Sequence, residues 1–311
     1  MRAIRQQQLG ASDVLELTEL PRPVPAPTEV LVRVAAAGVN PVDWKTRASG
    51  GPLGEPPFTV GWDIAGVVEE LGSGVTRFGV GDRVFGMPRF PHEAAAYAQY
   101  VTARSRQLAR IPDGLSDVEA AAIPLAGLIA WQSLVDTAKI GSGSRVLIHA
   151  AAGGVGHLAV QIAKSRGAYV LGTARVAQHK LLAELGADEA IDYTRQDVGA
   201  TIRDIDVVLD LVGGQTGLQS LPVLRDGGLL ISVPSSTDVA PLRAAAHGRV
   251  RVTGILVEPD RVGMEALASL VEDGALGVRV AKTFPLEAAA EAHEFGESGQ
   301  TDGGKLVLTV D

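Results

Sequence analysis

The chain has 311 residues, 46% hydrophobic and 21% charged, so it can bury one large core or two medium ones, and domain-size statistics favour two. A formal net charge of −8 argues against broad nucleic-acid or anionic-membrane binding, both of which need positive patches. With no cysteine, disulfides, thiolate nucleophiles and every Cys-ligated zinc or iron–sulfur site are excluded.

The first twenty residues, MRAIRQQQLGASDVLELTEL, hold no apolar core of signal-peptide length. The longest apolar stretch, residues 146–163, is interrupted by His149, Gly153, Gly154, Gly156 and His157, which a membrane span would not readily accept. A cytoplasmic protein without membrane contact is therefore expected. Short β-favouring runs at residues 30–34, 65–69, 83–85 and 97–101, separated by Gly/Pro clusters such as residues 50–57, predict a small irregular β-rich domain. Ser116 and Glu119 have capping-box spacing and predict a helix start.

After that helix, strand and helix alternate. Strands are predicted at 145–149, 169–172, 190–193, 207–211, 229–233 and 250–256, with helices at 155–166 and 177–185. Such alternation predicts an α/β fold with a doubly wound parallel sheet. A helix at 264–272, a strand at 278–281, a helix at 286–296 and a strand at 305–310 close the chain.

The strongest local signal is Val146-Leu-Ile-His-Ala-Ala-Ala-Gly-Gly-Val-Gly156 and the segment behind it. Val155, Leu158, Ala159, Ile162 and Ala163 share one helix face, and Gly167 stands where a C-cap belongs. Against the G-x-G-x-x-G fingerprint, Gly153 and Gly156 match while Ala151 replaces the first glycine. Ala152, Gly153, Gly154 and Val155 would then meet a pyrophosphate, whose charge the helix-opening amides stabilise. A βα turn using glycine for packing alone is the alternative.

NAD-selective sheets carry Asp or Glu roughly 20 residues further on to hold the ribose 2′-hydroxyl. Here no carboxylate lies between Gly156 and Glu184. Thr173, Arg175 and Lys180, with Ala174 beside them, are instead placed to meet a 2′-phosphate, which selects NADPH. Ordinary solvated charge is the competing reading of Arg175 and Lys180.

Six segments together carry a resemblance: residues 36–45 (AAGVNPVDWK), 61–68 (GWDIAGVV), 79–84 (GVGDRV), 124–128 (PLAGL), 150–156 (AAAGGVG) and 185–188 (LGAD). The chain resembles the medium-chain dehydrogenase/reductase superfamily over nearly its whole length, and within it the zinc-free quinone and enone oxidoreductases, the zeta-crystallin-like family. The resemblance implies a Rossmann domain, residues 116–275, inserted into a GroES-like catalytic domain formed by 1–115 plus 276–311. It also implies a cofactor and substrate cleft between them.

Zinc-dependent relatives carry Cys where Asn40 stands and His where Trp62 stands, and residues 120–132, the region of a third ligand, hold no Cys, His, Asp or Glu. Without a Lewis acid for an alkoxide, alcohol oxidation is disfavoured, and a quinone or α,β-unsaturated carbonyl becomes the expected substrate. By resemblance, Asn40 lies beside the nicotinamide ribose and substrate carbonyl, where its amide would donate to the developing oxyanion; a turn-forming Asn before Pro41 is the alternative. Lys45 resembles the lysine of enone-reducing relatives, as substrate clamp or proton donor. Pairing with Asp43 at the surface is its competing reading, and water is the other proton source.

The remaining sites also follow from the resemblance. Tyr193 is expected near the adenosine phosphate, Val212 with Val233, Pro234 and Ser235 along the nicotinamide half, and Gly254, Ile255 and Leu256 against the carboxamide. The edge of that last strand pairs two subunits in relatives, implying a homodimer. Two departures stand out: Ile129 replaces a hydroxyl residue common in relatives, and residues 91–96 replace a Gly-rich loop. NADPH-dependent reduction of a quinone or enone is the leading expectation. A non-catalytic NADPH-binding protein and a metal-free dehydrogenase of another small metabolite are the others.

Overall fold

The β-favouring runs become strands, though several extend further than their apolar cores. The computed structural model describes residues 1–234 and 238–311. In chain order the strands are β1 (Arg2–Arg5), β2 (Glu16–Glu19), β3 (Glu29–Val39), β4 (Asp63–Leu71), β5 (Arg83–Gly86), β6 (Tyr100–Arg104), β7 (Leu108–Arg110), β8 (Arg145–Ile148), β9 (Tyr169–Ala174), β10 (Glu189–Asp192), β11 (Ile205–Asp210), β12 (Leu224–Ser232), β13 (Arg251–Gly254), β14 (Val280–Pro285) and β15 (Lys305–Thr309). The run predicted at 97–101 is displaced to β6, because Tyr97 is held elsewhere: its N–H donates to Val60 O and its carbonyl accepts from Ile4 N.

The chain divides into two compact units, residues 1–128 with 258–273 and 278–311, and residues 129–257 with 274–277. These boundaries differ from the expected 115/116 and 275/276, because the segments flanking the inserted unit pack on the first one. The Leu125 amide donates to Asp63 Oδ1 at 2.8 Å, and Gly127 abuts Leu267 of the helix Arg261–Glu272.

In the first unit β14, β15, β3, β4, β5 and β7 lie side by side in that order, with β6 also paired to β3. The C-terminal strand β15 runs antiparallel to β3, with Leu306 opposite Val39. Its core is built from buried aliphatic and aromatic side chains, including Val32, Ile64, Val84, Tyr97 and Leu308.

Among the described residues of the second unit the six strands are all parallel, in the order β10-β9-β8-β11-β12-β13. Counted from β8 this is 3-2-1-4-5-6, the doubly wound Rossmann order, with its switch point at β8 and β11. Leu147, Leu171, Ile191, Val208 and Leu230 fill the strand cores. The helix Gly156–Ser165 buries Leu158, Ala159, Ile162 and Ala163, as the sequence period implied.

Several helices escaped the sequence reading, among them Pro124–Trp131 and Pro41–Ser49. Pro124–Trp131 is apolar on every side and buried from Pro124 to Ala130, so it shows no amphipathic period. Pro41–Ser49 buries Asp43, Thr46 and Arg47, so its inward face looks polar in sequence.

Candidate active site

The turn after β8 has the geometry of a dinucleotide cradle. Ala150 adopts φ 48°, the Ala151 amide donates to Thr173 O at 3.0 Å, and Gly153 N donates back to Ala150 O at 2.9 Å. The helix then opens at Gly156 with no side chain capping its N-terminus. An uncapped helix start at the carboxyl end of the first strand suits an anionic pyrophosphate, since its amides point outward and its dipole is positive there. Gly153, Gly154 and Val155 are half-buried around this opening, while Ala152 is buried. A Cβ on Gly156 would stand 2.2 Å from Ala150 O, so that glycine is fixed by close backbone approach. The methyl of Ala151, where the fingerprint has its first glycine, is accommodated by Gly172 on β9, whose own Cβ would lie 2.8 Å from it.

Buried His149 anchors the turn. Ser220 Oγ donates to Thr216 O at 2.6 Å, so it accepts from His149 Nε2 at 2.8 Å. That leaves His149 Nδ1 as the acceptor for Thr173 Oγ1 at 3.2 Å, while Thr173 Oγ1 itself accepts from the Ala150 amide at 3.2 Å. Burial lowers the His149 pKa, against Asp210, and so keeps the ring neutral as this chain requires. Thr173, expected to donate to a 2′-phosphate, is thus turned inward: it is 2% exposed and its one proton serves His149. Ala174 is buried beside it.

Arg175, which follows β9, is exposed, and its Nε donates to Tyr193 Oη at 3.3 Å, bringing two of the expected residues together at the end of the second sheet strand. Lys180 extends into solvent and pairs with Glu184 at 3.8 Å, one helical turn on. The nearby carboxylate of Asp192 ends the third strand instead, where it is 5% exposed and accepts from Thr194 N and Oγ1.

The other expected contacts follow strand ends on the same sheet edge. Asp210 Oδ1 accepts from the amides of Val212 and Gly213 at 3.0 and 2.8 Å, and Asp210 O accepts from Val233 N. Val233 and Pro234 are half-buried; Ser235 lies outside the described residues. Ile255 N donates to Ser232 O; Gly254, the last residue of the edge strand β13, and Leu256 just beyond it are exposed.

In the first unit, Asn40 joins β3 to the helix Pro41–Ser49 and is only 1% exposed. Its N–H donates to Asp43 Oδ2 at 2.6 Å, its Nδ2 donates to Asp63 Oδ2 at 2.8 Å, and its Oδ1 accepts from Lys305 Nζ. A carboxamide has two N–H groups, so at most one remains for a substrate oxygen. Lys45 is exposed on the same helix. The alternative in which it pairs with Asp43 is not realised, because Asp43 is fully buried and faces Asn40 and Tyr97.

Burial raises the Asp43 pKa to about 7 despite the Asn40 amide, and its Oδ1 has no partner among the described residues. Tyr97 Oη donates to Asp43 Oδ2 at 3.1 Å and meets His293 Nε2 at 3.1 Å; His293 Nδ1 faces Arg47 Nη1 at 3.3 Å. Asp63 and Lys305 are pushed towards their neutral forms by burial, and each opposes that push in the other. Sequence reasoning missed Lys305, Tyr97 and His293 because their partners come from other segments of the chain.

Trp62 is fully buried, donates its Nε1 to His92 O at 2.8 Å and meets Phe90 edge-on at 5.3 Å. Glu93, in the loop that departs from the Gly-rich pattern, accepts from Thr59 N at 2.9 Å. Ile129 is 8% exposed. Among the described residues no three His, Cys, Asp or Glu side chains group as a metal site, and no helix is long and apolar enough to cross a membrane.

Residues 26–113 match the alcohol dehydrogenase GroES-like domain, and residues 185–308 match the zinc-binding dehydrogenase domain. A 2-haloacrylate reductase from a Burkholderia species is 37% identical over 310 residues, covering 91% of this chain and 92% of that protein. The solved quinone oxidoreductase of Coxiella burnetii is 38% identical, with a TM-score of 0.93 over 100% of this chain and 99% of its own. The Escherichia coli quinone oxidoreductase solved with NADPH is 31% identical, with a TM-score of 0.87 over 99% of this chain and 100% of its own.

Proposed function

The chain belongs to the zinc-free quinone and enone oxidoreductases of the medium-chain dehydrogenase/reductase superfamily, and on that premise we propose that it reduces a quinone or an α,β-unsaturated carbonyl compound with NADPH. The observation that carries the reading is the Arg175–Tyr193 pair at the exposed end of β9. A guanidinium stands there in place of the carboxylate that would hold a ribose 2′-hydroxyl, and it suits a 2′-phosphate. The likeness to proteins described as quinone oxidoreductases and a 2-haloacrylate reductase supports an electron-poor, conjugated acceptor.

Bound NADPH supplies the hydride. On this reading Ala152, Gly153, Gly154 and Val155 hold the pyrophosphate at the open helix start, and Arg175 and Tyr193 hold the adenosine phosphate. Val212, Val233 and Pro234, with Gly254, Ile255 and Leu256, flank the nicotinamide half. The remaining N–H of Asn40 donates to the substrate oxygen as negative charge develops there, which suits an enolate or hydroquinone anion without a metal. Lys45, exposed on the helix that Asn40 begins, orients the substrate or donates the proton on this reading, with water as the other proton source.

Homodimerisation through the exposed edge of β13, which pairs only with β12 among the described residues, is part of the same proposal.

The test follows NADPH and NADH absorbance with a panel of quinones, 2-alkenals and alkenones. Turnover with NADPH well above that with NADH is expected. Tight NADPH binding without turnover of any acceptor would favour the non-catalytic reading, and equal affinity for the two nucleotides would remove the role given to Arg175.

A further inference from the structure

Two buried charges, Lys305 and Asp63, have no part in the mechanism above. Because β15 pairs antiparallel to β3, the first residue of β15 arrives beside the last of β3. Lys305 Nζ there donates to Val39 O at 3.2 Å and to Asn40 Oδ1. Across the same carboxamide, Asp63 Oδ2 accepts from Asn40 Nδ2 at 2.8 Å while its Oδ1 is held by the Leu125 amide. The ammonium and carboxylate are themselves 3.8 Å apart, the outer limit of an ion pair. Both reach the amide more closely than they reach each other, so the arrangement satisfies Asn40 before it satisfies the ion pair.

A carboxamide can exchange its oxygen and nitrogen by a half-turn with almost no change of shape. Here that turn would set oxygen against a carboxylate and N–H groups against an ammonium. We propose that Lys305 and Asp63 are positioning residues that lock the Asn40 amide one way round, so that the group left for the substrate is always an N–H donor. This rests on the reading of Asn40 as the donor to the developing oxyanion.

Asn40 is the only asparagine in the chain, so ¹⁵N-asparagine labelling gives one side-chain NH₂ pair in the intact protein. In the wild type, one proton of that pair should lie well downfield through its bond to Asp63. Lys305→Met should move the pair and lower kcat on an enone on the order of 100-fold, the scale of a misplaced group. Because that variant strands a buried carboxylate and is expected to lose stability, Lys305→Met/Asp63→Thr is the control. It removes both charges, keeps an oxygen for the Leu125 amide and adds no asparagine. Recovery of thermal stability with kcat still low and the NH₂ pair still displaced is the expected result.

Recovery of kcat together with stability would show a merely structural ion pair and overturn the proposal, as would an NH₂ pair in Lys305→Met that coincides with the wild type. If the pair responds as expected but the wild type reduces no enone or quinone, the positioning stands and the proposed function falls.

Discussion

Folding should shift a single proton from His293 to Asp43, the two groups that Tyr97 bridges, and Asp43→Asn tests this. The ordinary values are 3.8 for Asp43 and 6.5 for His293, so near pH 5 the unfolded chain has an ionised Asp43 and a protonated His293. In the folded protein burial raises Asp43 to about 7, while burial and the Arg47 charge lower His293 to about 3. The proton then sits on the carboxyl group and the imidazole is neutral, with Tyr97 bridging them. Folding moves the proton across the pair without binding or releasing one. The two linkages have opposite signs. The raised Asp43 favours folding fully below 3.8 and loses that contribution as pH rises through 7; the depressed His293 contributes fully above 6.5 and loses as pH falls towards 3.

Between about pH 4.5 and 6.5 the two slopes therefore cancel in the wild type. Asp43→Asn removes one and leaves the other, so its stability should gain on the wild type as pH rises, by up to about 1.4 kcal/mol per pH unit and about 2–3 kcal/mol across the window. Urea unfolding at pH 4.5, 5.5 and 6.5 (a window of roughly 2 units), followed by tryptophan fluorescence, reads the difference, since Trp44 lies 6.2 Å from the His293 ring. A stability difference between Asp43→Asn and wild type that stays constant over that range would refute the reasoning.

Three further outcomes are expected. Arg175→Ala should weaken NADPH binding by about 1.5–3 kcal/mol, the range for charge-assisted hydrogen bonds, with NADH binding unchanged by calorimetry. Gly172→Ala should cost about 1–3 kcal/mol because its Cβ would stand 2.8 Å from that of Ala151, and adding Ala151→Gly should restore most of it in a double-mutant cycle of denaturation midpoints. Asn40→Ala and Lys45→Ala should each lower kcat/KM on an enone; wild-type values in both would remove the roles assigned to them.

Much of the second unit was legible in the sequence because its order is local. Residues 146–167 carry strand, glycine turn, amphipathic helix and C-cap in succession, and the structure places β8 and the helix Gly156–Ser165 within a residue or two of expectation. The capping box at Ser116 and Glu119 is also formed, with Glu119 N donating to Ser116 Oγ at 3.2 Å. The inward turn of Thr173 was not legible. Its partner His149 stands twenty-four positions away in a run where it merely looked like an interruption, and the His149 tautomer is set by Ser220 from yet another strand–helix unit. Helix Pro41–Ser49 was hidden for a related reason: its buried face carries Asp43, Thr46 and Arg47, and Asp43 and Arg47 meet Tyr97, His293 and Glu297 from distant segments.

The same distance effect bears on the metal question. Cysteine and histidine are absent from positions 40 and 62, yet substitution alone would not recreate a zinc site. A cation bound beside residue 40 would face the Lys305 ammonium, which now touches the Asn40 side chain. Two unit charges about 4 Å apart repel by about 4 kcal/mol at the effective dielectric of protein sites. Trp62 is fully buried and bonded to the His92 carbonyl, so its replacement would leave a void as well as a ligand. Asn40→Cys/Trp62→His should therefore bind zinc weakly in a competition titration, and Lys305→Met added to that pair should tighten it. Unchanged affinity on removal of Lys305 would show that the lysine's charge does not reach the position and would refute the electrostatic argument.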